Sequence, residues 1–384
     1  VNLLDLAEPP PPSASRRLSA MLRRVVPRKE IVAWQVHPSP EVITRAIETR
    51  LPAADVWWAA NDVFHAANRA HAAVGRFTPV TLGEGDATDV AHWTCPLPMY
   101  VPKSANVYTI HDLVPLRLPH ATLDNKRVFL DLCRQIMKRA DRILTVSEQS
   151  RLDIIDILGV DERKVFNTYQ SISIPREFRD AADSEVAAEI GAIFGLDWKG
   201  YFLFYGAMEP KKNLARLIEG YLASNAESPL VIVGGRTWLN EDMQTLLYPD
   251  VVERQVLENG VLRRRDRIRQ YEYMPFHLLV SLIRGARATL FPSLYEGFGL
   301  PIVESMALGA PVLTSNVGAT AEIAADAAIL VDPYDTRAIS RSIRALDQDQ
   351  ALRDDLIERG RRRAEWFSEE RYAERLSGAY RGLA

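Results

Sequence analysis

The chain has 384 residues, 47% hydrophobic and 25% charged, the composition of a folded globular protein and too long for a small disulfide- or metal-stapled scaffold. Its 47 lysines and arginines against 50 acidic residues leave a formal net charge of -3, so the whole-molecule field does not favour polyanions and nucleic acid is not an expected partner. No run approaches the roughly 18 apolar residues of a membrane span. Cys95 and Cys133 show no CxxC spacing, and no secretory pattern accompanies them, which argues against a disulfide framework or a zinc site and for a reducing cytoplasm.

The first residues, VNLLDL, read as a strand that the prolines Pro9 to Pro12 end, because proline donates no backbone hydrogen bond. In SRRLSAMLRRVVPRK, Leu18, Met21, Leu22 and Val25 recur at helical spacing, while Arg16, Arg17, Arg23 and Arg24 take much of the remaining surface. Such a basic amphipathic helix suits peripheral contact with the inner face of a membrane, or a surface position on its own domain. From Glu30 onward, runs of strand length (IVAW 31–34, NVYTI 106–110, RILTV 142–146, KVFNTY 164–169) alternate with helical patterns such as Val128, Leu132 and Ile136, flanked by Phe129, Cys133 and Met137. After a polar, alanine-rich stretch near 180–199 the alternation restarts with YFLFYGAM (201–208), PLVIVGG (229–235), RIRQYEYM (267–274), ATLFPS (288–293), PVLTSN (311–316) and AAILVDP (327–333). Strand and helix in alternation predict parallel sheets covered on both faces. The expectation is two doubly wound, Rossmann-like α/β domains joined near 180–200 and facing each other across a cleft, with ligands outside the carboxyl ends of the strands.

Three constellations carry chemistry. In LFPSLYEGFGLPIVESMALGAPVLTS (290–315) a buried strand ends at Pro292, a loop holds Glu296, Gly297, Phe298 and Gly299, and Pro301 suits the first position of a helix that includes Glu304. The glycines let backbone amides approach a ligand, the helix start adds partial positive charge, and the two carboxylates are acceptors for paired hydroxyls such as sugars and riboses present. In YGAMEPKKNLARLI (205–218), Lys211 and Lys212 stand where a helix begins, a place that ordinarily prefers anions; that mismatch points to a bound anion, while a solvated face is the plain alternative. In NVYTIHDLVPLRLPH (106–120), a strand delivers His111 and Asp112 from its carboxyl end.

The string EGFGLPIVES, continued through PVLTSNVGATAEIAADAAILVDP, resembles the donor-sugar motif of the GT-B glycosyltransferases, specifically the retaining, nucleotide-sugar-dependent family 4. The likeness covers most of 200–365, with weaker matches from about 89 to 172. It implies that Glu296 contacts the transferred sugar, Glu304 holds the ribose, and the loop Gly297, Phe298, Gly299 and Leu300 faces the donor. It implies that Gly206, Lys211 and Lys212 form a phosphate clamp, in which Ala207 stands where many members carry arginine and Lys211 compensates. It further assigns His111 to the donor sugar near C1, and the backbone of Tyr273 and Met274 to the nucleotide base. LTVSEQSRLDI (144–154) matches a family strand and capped helix, with Ser147 as the cap. No DxD pair supports a magnesium bridge, and the family works without a metal, so no cofactor or metal is expected. The basic runs RRRDR (263–267) and RGRRR (359–363) read as solvated faces, with lipid-linked acceptor binding as the alternative. One departure is notable: no glycine-rich phosphate loop precedes residue 30, and the chain opens on Val1.

The expected domains are 1–190 on the acceptor side, with the helix in 366–384 packing back on it through Tyr372, Leu376 and Tyr380, and 191–365 on the nucleotide-sugar side. The expected activity is retaining transfer of a hexose, mannose from GDP-mannose by resemblance of EPKKN and TIHDLVPL, to a glycan or glycolipid acceptor that is lipid-linked or a growing polysaccharide. Two rivals differ in kind: a nucleotide-diphosphate-sugar epimerase of GT-B architecture, which needs no acceptor, and a non-catalytic GT-B scaffold. A dehydrogenase is disfavoured because VIVGG and EGFG lack the third glycine of a dinucleotide fingerprint.

Overall fold

A computed structural model describes residues 30–36, 54–83, 88–235, 253–258 and 261–383. The expected strand at VNLLDL and the basic helix around Arg16 to Arg24 lie outside these residues. The chain divides into two compact units. One runs up to Thr109 and includes Arg127–Arg142 and the residues from Gly382; the other comprises Ile110–Lys126 and Ile143–Arg381.

In the first unit Ile31–Val32, Thr78–Thr81 and Met99–Tyr100 form a parallel three-stranded sheet. Val90–Trp93 pairs in parallel with Ala105–Thr109. A small core of Ile31, Ala33, Ala67, Val80 and Met99 fills this sheet's inner face. The helix Lys126–Arg139 buries Leu132, Cys133, Ile136 and Met137, the stripe that its period of 3.6 predicts. The helix Val63–Val74 escapes sequence reading because three of its four buried residues, Ala66, Ala67 and Ala70, are alanines with little apolar signal.

The second unit is built on six parallel strands in the spatial order Ile268–Tyr271, Leu230–Val233, Phe202–Tyr205, Ala288–Phe291, Val312–Ser315, Ile329–Val331. Numbered by sequence this is 3-2-1-4-5-6, the doubly wound order whose switch point lies between the first and fourth strands. Alternate residues of the first strand enter opposite cores. Phe202 and Phe204 pack with Leu217, Ile218, Ile302, Val303, Ile339 and Ile343; Tyr201, Leu203 and Tyr205 pack with Ile190, Val280, Leu282 and Ile283. Each such fully buried side chain is worth roughly 1.5–3 kcal/mol of transfer free energy, and burial on both faces explains why the strands Phe202–Tyr205 and Leu230–Val233 read as unbroken apolar runs. The strand order also leaves the loops after Tyr205 and Phe291 side by side, since Phe202 and Leu203 pair with Ala288 and Thr289.

Several local expectations change. The stretch near 180–199 is no linker: Asp183–Phe194 is a helix whose Val186 and Ile190, one turn apart, plug into the second core. The units accordingly do not part at 190, and residues 143–190 group with the second unit. The closing helix Glu369–Tyr380 groups with the second unit and meets residues numbered below 190, with the Arg375 guanidinium 4.9 Å from the Tyr169 ring centre and, just before the helix, Ile172 N donating to Phe367 O. The run 359–363 is more than a solvated face. Arg363 Nε and Nη2 donate to the carbonyls of Ile323 and Glu322, satisfying the end of the helix Gly318–Ala324. Within 263–267, Arg267 lies over the Tyr221 ring and donates to Leu222 O.

Candidate active site

The switch point is assembled from backbone constraints upward. Strand Phe202–Tyr205 ends at Gly206, which takes φ 134°, and a Cβ on Gly234 would lie 1.9 Å from Gly206 O. No side chain fits there, so two strand ends meet backbone to backbone. The chain then makes a 3-10 turn over Pro210–Lys212 and enters the helix Leu214–Ser224 through Asn213, held in the left-handed region at φ 59°. The helix expected to start at the lysines thus begins two residues after Lys212, and the lysines occupy the tight turn before it. The Asn213 amide donates to Pro292 O at 3.0 Å and Pro333 O at 2.7 Å, and Leu294 N donates to Lys211 O at 2.7 Å. These bonds lash the lysine turn to the loop that follows the neighbouring strand.

In that loop Glu296 is 6% exposed and its Oε1 accepts from Lys212 Nζ at 2.7 Å. The ammonium also sits 4.8 Å from the Phe291 ring centre. Lys211 reaches Glu209 at 3.5 Å. Burial works against the Lys211 ammonium, yet the carboxylates of Glu296, Asp112 and Glu209 outweigh it and hold its pKa above the usual lysine value. Two cations and three carboxylates therefore share one small volume. Asp112 is pushed up chiefly by burial, opposed by the Val114 amide that donates to its Oδ1 at 2.9 Å.

The glycine loop meets His111 and Asp112 directly. A Cβ on Gly297 would fall 2.7 Å from Asp112 Cβ and 3.0 Å from His111 O, so glycine is required here by close approach. Gly299 sits at φ 102° as the cap of the helix Leu300–Ala307, Phe298 is buried, and Leu300 is exposed. Pro301 occupies the second helical position and Glu304 the second turn, each a little deeper than the sequence suggests. Glu304 Oε2 accepts from the Tyr205 hydroxyl at 2.9 Å; burial raises the carboxyl's pKa and this donor partly restrains the rise. Tyr205 had no sequence signal beyond its place as the last residue of an apolar strand.

The structure therefore brings together His111, Gly206, Lys211, Lys212, Glu296, Gly297, Phe298 and Gly299 on loops that follow adjacent strands or pack on them, with Leu300 and Glu304 on the helix that leaves the glycine loop. Tyr273 and Met274 stand apart. They follow the edge strand Ile268–Tyr271, two places along the sheet from Phe202–Tyr205, which is roughly 10 Å at ordinary strand spacing. Tyr273 is 83% exposed, and Met274 packs against the second core. Ser147 caps the helix Glu148–Leu158 by accepting from Ser150 N, as its chemistry predicts. Among the described residues no group of three or more histidine, cysteine or acidic side chains is disposed to hold a metal ion. Nor is any described helix long and apolar enough to cross a membrane.

Cations and acceptor carboxylates at the switch point of a doubly wound sheet can take an anionic leaving group on one side and a polyhydroxylated group on the other. The architecture is that of the GT-B glycosyltransferases. A complex of Anabaena HepE with UDP and glucose superposes with TM-score 0.59 at 18% identity over 72% of each chain. Sucrose-phosphate synthase from Thermosynechococcus elongatus does so with TM-score 0.60 at 18% identity, covering 84% of this chain and 79% of that one.

Residues 194–363 match the family described as glycosyl transferases group 1. O-antigen chain mannosyltransferase B of Escherichia coli is 33% identical over 282 residues, 72% of this chain and 70% of that enzyme. O-antigen chain mannosyltransferase RfbU of Salmonella typhimurium is 28% identical over 240 residues, 62% and 60% of the respective chains. The chain belongs to the group 1 glycosyltransferases, enzymes that transfer a sugar from a nucleotide-sugar donor.

Proposed function

We propose that the protein transfers mannose from GDP-mannose, with retention of anomeric configuration, to a lipid-linked or growing polysaccharide acceptor. The observation that carries the transfer chemistry is the Lys212–Glu296 pair at the switch point, with Lys211 beside it and Glu304 on the following helix. The sugar and the acceptor class follow the likeness to O-antigen chain mannosyltransferases.

In this reading Lys211 and Lys212 receive the negative charge that develops on the diphosphate as its bond to C1 breaks, without a metal ion. Preorganised cations stabilise that charge more in the transition state than in the ground state. Glu296, freed from Lys212 as the phosphate takes its place, accepts hydrogen bonds from the hexose hydroxyls. Glu304 does the same for the ribose, and the amides of Gly297 to Gly299 donate to the sugar. His111 steadies positive charge near C1. The acceptor oxygen bonds to C1 on the face that the diphosphate leaves, and its proton passes to the departing phosphate oxygen. The backbone of Tyr273 and Met274 meets the base, and the basic segment Arg16 to Arg24 brings the enzyme to lipid on the cytoplasmic face.

The test is an assay of the whole protein with radiolabelled GDP-mannose or UDP-sugars and a polysaccharide acceptor. Label entering the acceptor from GDP-mannose, with the α-linkage kept, is the expected result. Equal use of UDP-glucose removes the mannose assignment. Conversion of the nucleotide sugar with no acceptor present makes the protein an epimerase instead.

A further inference from the structure

The helix Glu148–Leu158 projects two side chains from successive turns toward the Glu296 loop. The Ser150 hydroxyl donates to Gly297 O at 3.2 Å, and Asp153 Oδ2 accepts from the Tyr295 hydroxyl. Positions three apart share a helix face, so residues 295 and 297 are gripped by one rigid element, and Glu296 is the residue between them. Asp153 is 0% exposed, and its other oxygen is fully occupied. Arg117 donates to Oδ1 from Nη2 at 2.6 Å and from Nε at 3.1 Å, and the Gln149 amide donates at 3.0 Å. A buried carboxylate is tolerable only with such compensation, and here it leaves a single acceptor, Oδ2, for Tyr295. The tyrosine ring also packs closely on Gly318, where an added Cβ would lie 3.1 Å from it. The helix is itself anchored: Glu322 Oε1 and Oε2 accept from the amides of Glu148 and Gln149 at 2.8 and 2.9 Å.

We propose that Asp153 and Ser150 are positioning residues that bracket Glu296 through Tyr295 and Gly297 and thereby aim its carboxylate at Lys212. The segment VSEQSRLD thus serves the transfer chemistry without touching substrate. This rests on the transferase reading for its consequence in rate, since a misplacement of about 1 Å at a reacting group can cost about a hundredfold. The geometric claim is independent of it.

The experiment compares the parent with Tyr295→Phe, Asp153→Asn and Glu296→Gln. Tyr295→Phe removes one hydroxyl and keeps the ring against Gly318. The first readout is labelling of lysines by an amine-reactive reagent, located by mass spectrometry. Lys212 labelling is expected to rise several-fold in Tyr295→Phe and Asp153→Asn, toward the rate in Glu296→Gln. Lys199 serves as the control. It donates to Arg284 O and Gly309 O, neither of them part of the bracket, and burial lowers its pKa to about 8. A general loosening of the unit raises both rates; the bracket raises Lys212 alone. The second readout is transfer: kcat is expected to fall about tenfold in Tyr295→Phe with KM for the nucleotide sugar near the parent value, and to fall no further when Tyr295→Phe is added to Glu296→Gln. Unchanged Lys212 labelling in both Tyr295→Phe and Asp153→Asn, or labelling that rises equally at Lys199, overturns the proposal. Absence of transfer in the parent overturns the functional reading and leaves the labelling to decide the bracket.

Discussion

Glu304 shows how a single residue ties sequence chemistry to a measurable pH dependence. Its carboxyl is raised by burial, against the restraint of the Tyr205 hydroxyl. Folding therefore favours the protonated form: the stability this group contributes is present below the ordinary carboxylate range and is lost as pH rises through the raised value. A ribose held by Glu304, as proposed, would reverse the preference, because an ionised carboxylate is the better acceptor for two hydroxyls. Affinity for GDP-mannose, whose phosphates stay ionised across this range, is expected to increase with pH in a window just above that of ordinary carboxylates, with up to one proton released per ligand. Calorimetry in buffers of different ionisation enthalpy measures the release. Glu304→Gln should bind more weakly and show no such release; a variant that keeps the parent's proton release assigns it to another group, such as Asp112. At this scale Glu296, Glu304, Lys211 and Lys212 were picked out by the resemblance of EGFGLPIVES and EPKKN to family motifs, since by chemistry alone a glycine turn with an acid at a helix start and a solvated lysine pair were the plain alternatives. Tyr205 and Asp153 were not. A tyrosine ending an apolar strand reads as core, and an aspartate in an amphipathic helix reads as surface until Arg117, 36 residues away in sequence, is found beside it.

Among the elements, strands were the most legible, since buried parallel strands are short apolar runs with turn signals at their ends. The run 201–208 contains Phe202–Tyr205, 229–235 contains Leu230–Val233, and 288–293 contains Ala288–Phe291. The sheet order is not written in any run, because it depends on pairings between distant strands. Nor is the tie made by Asn213, whose two acceptors, Pro292 and Pro333, stand 79 and 120 residues further along. Asn213 joins three strand-end loops and also supplies a left-handed residue before a helix. Two substitutions separate these tasks. Asn213→Gly keeps the left-handed conformation and leaves both carbonyls unpaired, at about 1–3 kcal/mol for each buried group that finds no water. Asn213→Ala adds the strain of φ 59° on a side chain that dislikes it, on the order of 1 kcal/mol more. Denaturant midpoints should therefore fall in the order parent, Gly, Ala. Equal midpoints for parent and Gly would mean that the amide does not hold the loops together.

For the molecule as a whole, the second unit holds its candidate site where the doubly wound sheet gathers the largest buried cluster. A ligand seated on the loops after Tyr205 and Phe291 touches the ends of paired central strands. Opening of that sheet must therefore release it, and binding energy becomes folding energy by mass action. At a free concentration of about 100 times Kd the gain is roughly 2.7 kcal/mol. For a unit of this size that corresponds to a shift of roughly 5–10 °C in the unfolding midpoint. GDP-mannose is expected to produce that shift, to slow amide exchange in Phe202–Tyr205 and Ala288–Phe291, and to do so more than UDP-glucose at the same multiple of the GDP-mannose Kd. Lys212→Ala should lose most of the shift, because the phosphate then meets one lysine rather than two and Glu296 is left without its ion-pair partner. A midpoint that moves with neither nucleotide sugar would show that these loops do not form a donor site.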